Sequence, residues 1–539
     1  MRIPGTSLWG TLALALAACG GGGGSTPRAD GGSVPPPTTP SCDPAAGGGS
    51  AEVAEPTVQM ALADRFEEAW LGSPAVADLD GDGANEIIVA RDDKLVVWDA
   101  TGDKGTVKWS FATSGRIWSS PVVADFLGDA ELEVAIAARG KVHLLDAAGA
   151  ELPGFPVSWD DELRSLAAGD VDHDGQLDLV VATTNGGPGD VVNAFHASGA
   201  VVSGFPPLAS GTSGCGPADS SDACYFAGAY DQNLAVGDLD GQGGDDLVVP
   251  HDNAYASFFH GTGVAFDAAA GFSSTKTPGV RYLHDLAEAR QGFADDEATA
   301  LQAHFTNTSP TIADVDGDGR YDVVMLGSVQ NAAQDMRKLG VGLWVVEGDA
   351  SRLAAFVSPV RVGEYLAGLE DLEGNIVGAT NQVTVADLDG GRAGLEMVFA
   401  GFDGRIHAVG ADGTPLWAYS YTDDPLVLTA GVAVADLSGD GVPEVVFASY
   451  SQVEDRSALF VVDAGGNERW KLPLPHRGSM SVPTLADVDG DGQLEIVVSL
   501  KDADDKVESV RVYTVPGART NCVLWATGRA NLLRNGWVP

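Results

Sequence analysis

The sequence predicts an all-β chain, an eight-bladed β-propeller of four-stranded antiparallel blades, with seven blades as the alternative and one small helical insertion. Three observations carry this. An acidic loop between two apolar runs recurs eight times, an alternating strand ending in a glycine turn follows most copies, and the strands succeed one another as a meander without crossover helices.

The eight copies read SPAVADLDGDGANEIIVA from Ser73, SPVVADFLGDAELEVAIA from Ser120, LAAGDVDHDGQLDLVVA from Leu166, LAVGDLDGQGGDDLVVP from Leu234, SPTIADVDGDGRYDVVML from Ser309, QVTVADLDGGRAGLEMVFA from Gln382, GVAVADLSGDGVPEVVFA from Gly431 and SVPTLADVDGDGQLEIVVS from Ser481. Their lead aspartates, Asp78, Asp125, Asp170, Asp238, Asp314, Asp387, Asp436 and Asp487, are spaced by 47, 45, 68, 76, 73, 49 and 51 residues. A spacing near 47 suits one four-stranded blade. Third strands follow in KLVVWDATG, KVHLLDAAG, VNAFHASG, RIHAVGADG and LFVVDAGG, with Gly102, Gly149, Gly199, Gly413 and Gly466 where a tight hairpin needs a positive backbone angle. VKWSF and PLWAY are fourth strands. The last repeat ends in NCVLWATGRANLLRNG, which offers no clear fourth strand, while TVQMALA from Thr57 precedes the first repeat unpaired. Pairing the two removes two open sheet edges and closes the ring.

The acidic loops state their chemistry most clearly. Asp78, Asp80, Asp82 and Glu86 occupy loop positions one, three, five and nine, with Gly83 at six. Calcium takes six to eight oxygen ligands, and four carboxylates so close repel one another without a cation. Complete sets recur at Asp170, Asp172, Asp174 and Asp178, at Asp314, Asp316, Asp318 and Asp322, and at Asp487, Asp489, Asp491 and Glu495. Asp436, Ser438, Asp440 and Glu444, and Asp238, Asp240, Gln242 and Asp246, keep an oxygen at every position. The loop at Asp387 has Gly391 at position five and its Glu396 one residue late, so it must bulge to close, and the loop at Asp125 has Leu127 at position three and is expected empty or poorly occupied. The plain alternative is a set of polar turns in which Asp-Gly serves turn geometry alone. Helices should flank an EF-hand loop, whereas EIIVA, DLVVA, DVVML and EIVVS are strand-like.

These loops resemble the FG-GAP and VCBS repeats of integrin α-chain propellers and bacterial surface proteins, from Ser73 to about Tyr513. The resemblance implies a propeller frame and calcium in the loops. It does not assign a function, because one fold hosts many.

The chain's start places the rest. Residues 1–18 carry one early charge at Arg2, an apolar stretch from Leu8 and a small-residue end, the pattern of a signal peptide. That stretch is too short for the roughly 20 residues of a membrane span. Leu16-Ala17-Ala18-Cys19 resembles a bacterial lipobox, which implies lipidation of Cys19, and Gly20 in the next position favours the outer membrane or cell surface. The Gly-, Pro- and Ser-rich residues from Cys19 to 55 form a tether, and 56–539 the propeller. The remaining cysteines lie outside the cytoplasm on this reading, where Cys215 pairs with Cys224 and Cys42 with Cys522, one of three possible pairings.

A net charge of −45 repels nucleic acid and anionic lipid, leaving the lipid anchor as the membrane contact of a monomer. Of the 76 acidic residues, 28 stand at loop ligand positions. No HExxH, nucleophile elbow, Walker lysine loop or paired CxxC occurs. His173 reads as a solvated turn residue, and His251, His260, His284 and His304 gather between blades four and five. Insertions at 208–232, 273–308 (helical in YLHDLAEARQGFADDEATALQAHF), 328–340 and 352–382 all use the face away from the loops. They gather Arg281, Tyr282, His284, Arg290, His304, Arg337 and Lys338 into the expected ligand face. Two function classes follow: a surface binding or adhesion module for a glycan or protein, and a calcium-dependent carbohydrate-active enzyme such as a polysaccharide lyase. Basic and aromatic residues converging on one pocket would favour the second.

Overall fold

The computed structural model describes residues 42–64, 68–100, 105–159, 162–184, 192–207, 229, 233–251, 255–266, 280–282, 302–305, 308–330, 340–349, 351–357, 359–367, 381–502 and 508–539. The fold is an eight-bladed propeller of antiparallel sheets. Blade one comprises Ala75–Ala77, Glu86–Arg91, Lys94–Asp99 and Thr106–Ala112, in sequence order from the axis outward. Blades two, four and six repeat this plan from Val122–Ala124, Ala235–Gly237 and Thr384–Ala386. Blade three, from Leu163–Gly169, shows three strands among the described residues, while blades five and seven, from Thr311–Ala313 and Ala433–Ala435, gain extra edge strands.

Blade eight joins Thr484–Ala486, Glu495–Ser499 and Val510–Thr514 to the N-terminal strand Thr57–Leu62. Thr57 pairs with Thr514 and Leu62 with Val510, so the first strand closes the ring as the sequence predicts. Second strands such as Glu86–Arg91 are buried at every residue, because neighbouring blades cover both faces. Fourth strands such as Thr106–Ala112 alternate, with one side toward water. The core is a series of inter-blade layers; Met60, Val76, Ile87, Val89, Trp98, Val497 and Val512 form the one that joins blades eight and one.

Some expectations shift. The helical reading of Tyr282 to Phe305 fails at both ends: Val280–Tyr282 is blade four's outer strand, and Gln302–His304 pairs with the second strand of blade five. Antiparallel pairing wins at both ends because each short segment adds to the open edge of a strand. Residues 283–301 lie outside the described residues, and the one described helix is a 3-10 turn at Ala354–Phe356. The insertions expected at 328–340 and 352–382 also lose residues to strands, at Asp322–Gln330 and at Val360–Val362, the outer strand of blade five.

The C-terminal segment has no counterpart in the sequence reading. Val523–Trp525 pairs with the inner strand of blade seven, and the chain then passes along the inner strands around the axis. The amides of Leu485, Val123, Ala168, Val236 and Ile312 donate to the carbonyls of Ala526, Leu532, Leu533, Asn535 and Gly536, at 2.7–3.1 Å. Two arginines complete the seal, each 1% exposed. Arg534 donates through Nε to Pro121 O (3.0 Å), through Nη1 to Thr527 Oγ1 and Gly528 O, and through Nη2 to Pro74 O (2.8 Å). Arg529 donates to the carbonyls of Pro310 and Leu234. Burial pushes both guanidinium groups down to about 9, so both stay charged at neutral pH. Cys522, at the entry to this segment, is disulfide-bonded to Cys42, with Cα atoms 4.8 Å apart.

Substituting Arg534→Met removes the donor to the buried carbonyls of Pro121 and Gly528, while Pro74 O keeps its bond from Thr484 Oγ1. A loss of about 3 kcal/mol or more in unfolding free energy follows, read by denaturant titration; a change under about 0.5 kcal/mol would show that the arginine is not structural.

Candidate functional site

Each acidic loop joins the first and second strands of its blade, so all eight lie on one face of the ring. The lead aspartate organises the loop by accepting backbone bonds. Asp78 takes the amides of Asp82 (3.1 Å) and Gly83 (3.0 Å); Asp170 takes Asp174 and Gly175, and Asp314 takes Asp318 and Gly319, at like distances. Gly83 sits at φ 92°, the left-handed region that position six needs. In the degenerate second loop Ala130 is forced to φ 70° at that position. The closing acid accepts the position-two amide with one oxygen: Glu86 from Leu79 (2.9 Å), Asp322 from Val315 (3.1 Å), Glu444 from Leu437 (2.7 Å) and Glu495 from Val488 (2.8 Å).

That leaves carboxylate oxygens facing one another around a buried closing acid. Asp78, Asp80 and Glu86, and Asp314, Asp316 and Asp322, each bring one oxygen within 4.8 Å of the others, and several such clusters could hold a metal ion. Asp487 Oδ1 and Glu495 Oε1 are buried without a hydrogen-bond partner. Burial, with neighbouring carboxylates adding to it, pushes Asp246, Asp322, Glu444 and Glu495 up to about 8. Glu133, in the loop with Leu127, is raised by burial to about 7.

Built-in cations meet some loops. Lys108, on the outer strand of blade one, places Nζ 2.8 Å from Glu86 Oε1 and 2.5 Å from Asp80 Oδ2. Arg392 Nε lies 2.8 Å from Asp389 Oδ2 in the sixth loop, and Arg320 pairs with Asp318 and Glu347 in the fifth. The seventh loop is covered by the chain's own ends: Asn521 Nδ2 donates to Asp436 Oδ2 (2.9 Å) and to Asp43 O, and Ser50 N donates to Ser438 O. The sequence reading missed Lys108, which comes from the outer strand of the same blade, and Asn521, a turn residue 85 positions beyond Asp436.

The opposite face carries a second feature that sequence reasoning missed. Trp70 and Trp118 precede the first strands of blades one and two, their rings 4.8 Å apart and tilted 55°. Arg116 stands over both, 4.0 Å from Trp70 and 4.9 Å from Trp118. Lys501 lies 3.3 Å from the Trp70 ring and Arg164 4.1 Å from Trp118, so cations and rings alternate. Carboxylates rim the stack: Asp92 on Arg116 (3.0 Å), Glu162 on the Trp118 indole N–H (2.8 Å) and Glu68 on Lys501 (3.3 Å). Burial pushes the Lys501 ammonium down to about 8.

Of the expected ligand face, Arg281 and Tyr282 lie on the outer strand of blade four and His304 on the edge strand of blade five. The structure therefore places these three on strands, and their side chains lie outside the described residues. His284, Arg290, Arg337 and Lys338 also lie outside the described residues, as do Cys19, Cys215 and Cys224. His251 is buried against Ser257 (2.7 Å), and His173 is exposed at φ 58°.

Comparison with known proteins gives three matching stretches. Residues 78–136 and 436–498 match the FG-GAP-like repeat, and 163–201 the FG-GAP repeat. Cartilage acidic protein 1 of Homo sapiens is 25% identical over 350 residues, 61% of this chain; the chain spans about half (46%) of that relative's length. Among solved structures, the V. cholerae biofilm matrix protein Bap1 aligns at TM-score 0.50 and 13% identity, covering 90% of this chain and 96% of that one. A rhamnogalacturonan lyase of Bacillus licheniformis aligns at TM-score 0.46 and 13% identity, over 89% and 81%.

Two outcomes follow from the loops. In metal-free protein the closing acids have folded-state values above their unfolded ones, so the folded chain holds more protons. Stability then falls as pH rises from about 4 to 8, the interval bounded by the ordinary values of 3.8–4.5 and the raised ones. Melting in excess chelator across that interval checks this, and a divalent cation should flatten the slope. The substitution Lys108→Met frees Asp80 and Glu86 and should tighten cation binding at blade one about tenfold, read by calorimetry; unchanged affinity would mean that the ammonium does not compete.

Proposed function

We propose that this chain, built of FG-GAP repeats on an eight-bladed propeller, is a calcium-binding lipoprotein of the outer membrane or cell surface that binds a glycan or protein partner. The observation that carries it is the filled channel. A lyase or other enzyme working at the axis needs an open mouth there, and this axis is occupied by Ala526 to Val538, bonded to the inner strands. Ligand contact is thereby left to the two faces.

Calcium fits the loops by chemistry. They offer oxygens only at the loop positions, a left-handed glycine at position six, and buried carboxylates that lack partners. Its part is structural: it binds the folded ring and adds stability by mass action. The lipid anchor rests on Cys19 and the tether on the composition of 19–55. A biofilm matrix protein among the likenesses is consistent with a role outside the cell.

The Trp–Arg stack is the observation that favours the enzyme reading, since basic and aromatic residues do converge there. The stack is self-saturated, however. Lys501 is 1% exposed beneath Trp70, and Arg164 is held by Glu162. Arg116 is the exception, with 35% of its side chain exposed and one contact at Nε to Asp92. A part-exposed guanidinium standing over two indoles suits a carboxylate of an acidic glycan or peptide. A glycan array and an envelope-protein pull-down, with calcium and with chelator, test the reading. Binding that is calcium-dependent and weakened at least tenfold by Arg116→Ala supports it. Binding unchanged by that substitution moves the site to the lobe around 273–308, and polysaccharide cleavage by the purified chain would establish the enzyme instead.

A further inference from the structure

Two neighbouring blades depart from the oxygen-only pattern. Across the hairpin between second and third strands, the closing acid faces Asp99 in blade one, Glu347 in blade five, Asp463 in blade seven and Thr514 in blade eight. In blades three and four the corresponding place, just beyond the Leu179–Phe195 and Leu247–Phe259 pairs, holds His196 and His260. His196 Nδ1 lies 2.8 Å from Asp178 Oδ1, and its Nε2 3.9 Å from Asp172 Oδ2. His260 Nδ1 lies 3.1 Å from Asp246 Oδ1 and 3.4 Å from Asp240 Oδ2.

In each trio, ligand atoms from all three residues lie within 4.8 Å of one another. The imidazoles are held in place. His196 N donates to Ala200 O and His260 N to Val264 O (2.9 and 2.8 Å), and the His260 ring stacks on Phe266 at 3.9 Å. A second, independent sign is unmet demand for a cation. Asp178 is 1% exposed and its Oδ2 is buried with no hydrogen-bond partner, as are Asp172 Oδ1 and, in blade four, Asp238 Oδ1. A buried carboxylate oxygen left in that state is costly.

These two loops keep the oxygen ligands that calcium takes, but the imidazole adds a nitrogen donor beside the closing carboxylate, a set that suits zinc and its neighbours in the transition series better than calcium. We propose that blades three and four hold a pair of transition-metal sites, Asp172–Asp178–His196 and Asp240–Asp246–His260, which take a zinc-class divalent ion in place of calcium. The inference rests on the loops being cation sites and adds which cation each kind takes. Binding releases the proton shared between imidazole and carboxylate, since the ligating nitrogen must be bare.

The test uses the whole chain, stripped of metal, then given cobalt(II) as a zinc surrogate in the presence of excess calcium. The account expects two calcium-resistant cobalt ions per chain with the visible spectrum of nitrogen-ligated cobalt. His196→Asn should remove one, His260→Asn the other. Pulsed electron resonance on unsubstituted protein given two equivalents of copper(II) in excess calcium needs no variant and should show coupling to imidazole nitrogen. Displacement of all cobalt by calcium, equal cobalt uptake by the double variant, or absence of that coupling overturns the proposal, and would leave the histidines as built-in cations like Lys108. Calcium analysis of the same samples separates the two readings: no bound calcium with two histidine-dependent cobalt ions upholds these sites while removing calcium from the other loops.

Discussion

Eight inner strands turn one free edge each toward a single narrow axis, and those edges must find partners for their amides and carbonyls. Water cannot reach them once the blades close, and unpaired buried backbone groups cost as much as lost hydrogen bonds. The C-terminal segment meets this demand by laying its own backbone along the edges. Arg529 and Arg534 add donors to the carbonyls of Pro310, Leu234, Pro121 and Pro74. The rest of the architecture hangs on this: the N-terminal strand completes the outer edge of blade eight, the C-terminal segment completes the inner edges, and the Cys42–Cys522 bond ties the ends together. A ring fastened in this way has its axis taken up by its own chain.

The faces differ in electrostatic character. One concentrates carboxylates in loops whose closing acids are buried, and several are met by a cation of the protein itself, as Lys108 and Arg392 show. The other stacks cations on indoles, with Arg116 standing over both Trp70 and Trp118. In a chain of net charge −45, Arg116 gives the second face a part-exposed cation among its carboxylates.

Much of the ring was legible in the sequence, because its signals are local. Apolar runs around each acidic loop fix two strands and the turn between them, and an unpaired strand at Thr57 with a deficient last repeat implies closure. The C-terminal segment was illegible for a physical reason: it bonds through its backbone to inner strands hundreds of residues away, so NCVLWATGRANLLRNG needs no periodicity. Proximity in sequence also misled. His251, His260 and His304 fall close together along the chain yet serve a buried bond to Ser257, a loop of blade four and an edge strand of blade five. The informative comparison was between equivalent positions of repeats, where FHASG and FHGTG stand against WDATG and VDAGG. The same comparison would have found Trp70 and Trp118, both just ahead of the Ser-Pro that opens a first strand.

The most direct measurement of the central claim is amide hydrogen exchange on the intact, oxidised chain. If the C-terminal segment seals the axis, the amides of Val123, Ala168, Val236, Ile312 and Leu485, each donating to that segment, exchange as slowly as those of the buried second strands. Exchange of these five at the rate of the exposed loop amides would contradict the account, and would return the channel to the list of places where a ligand binds.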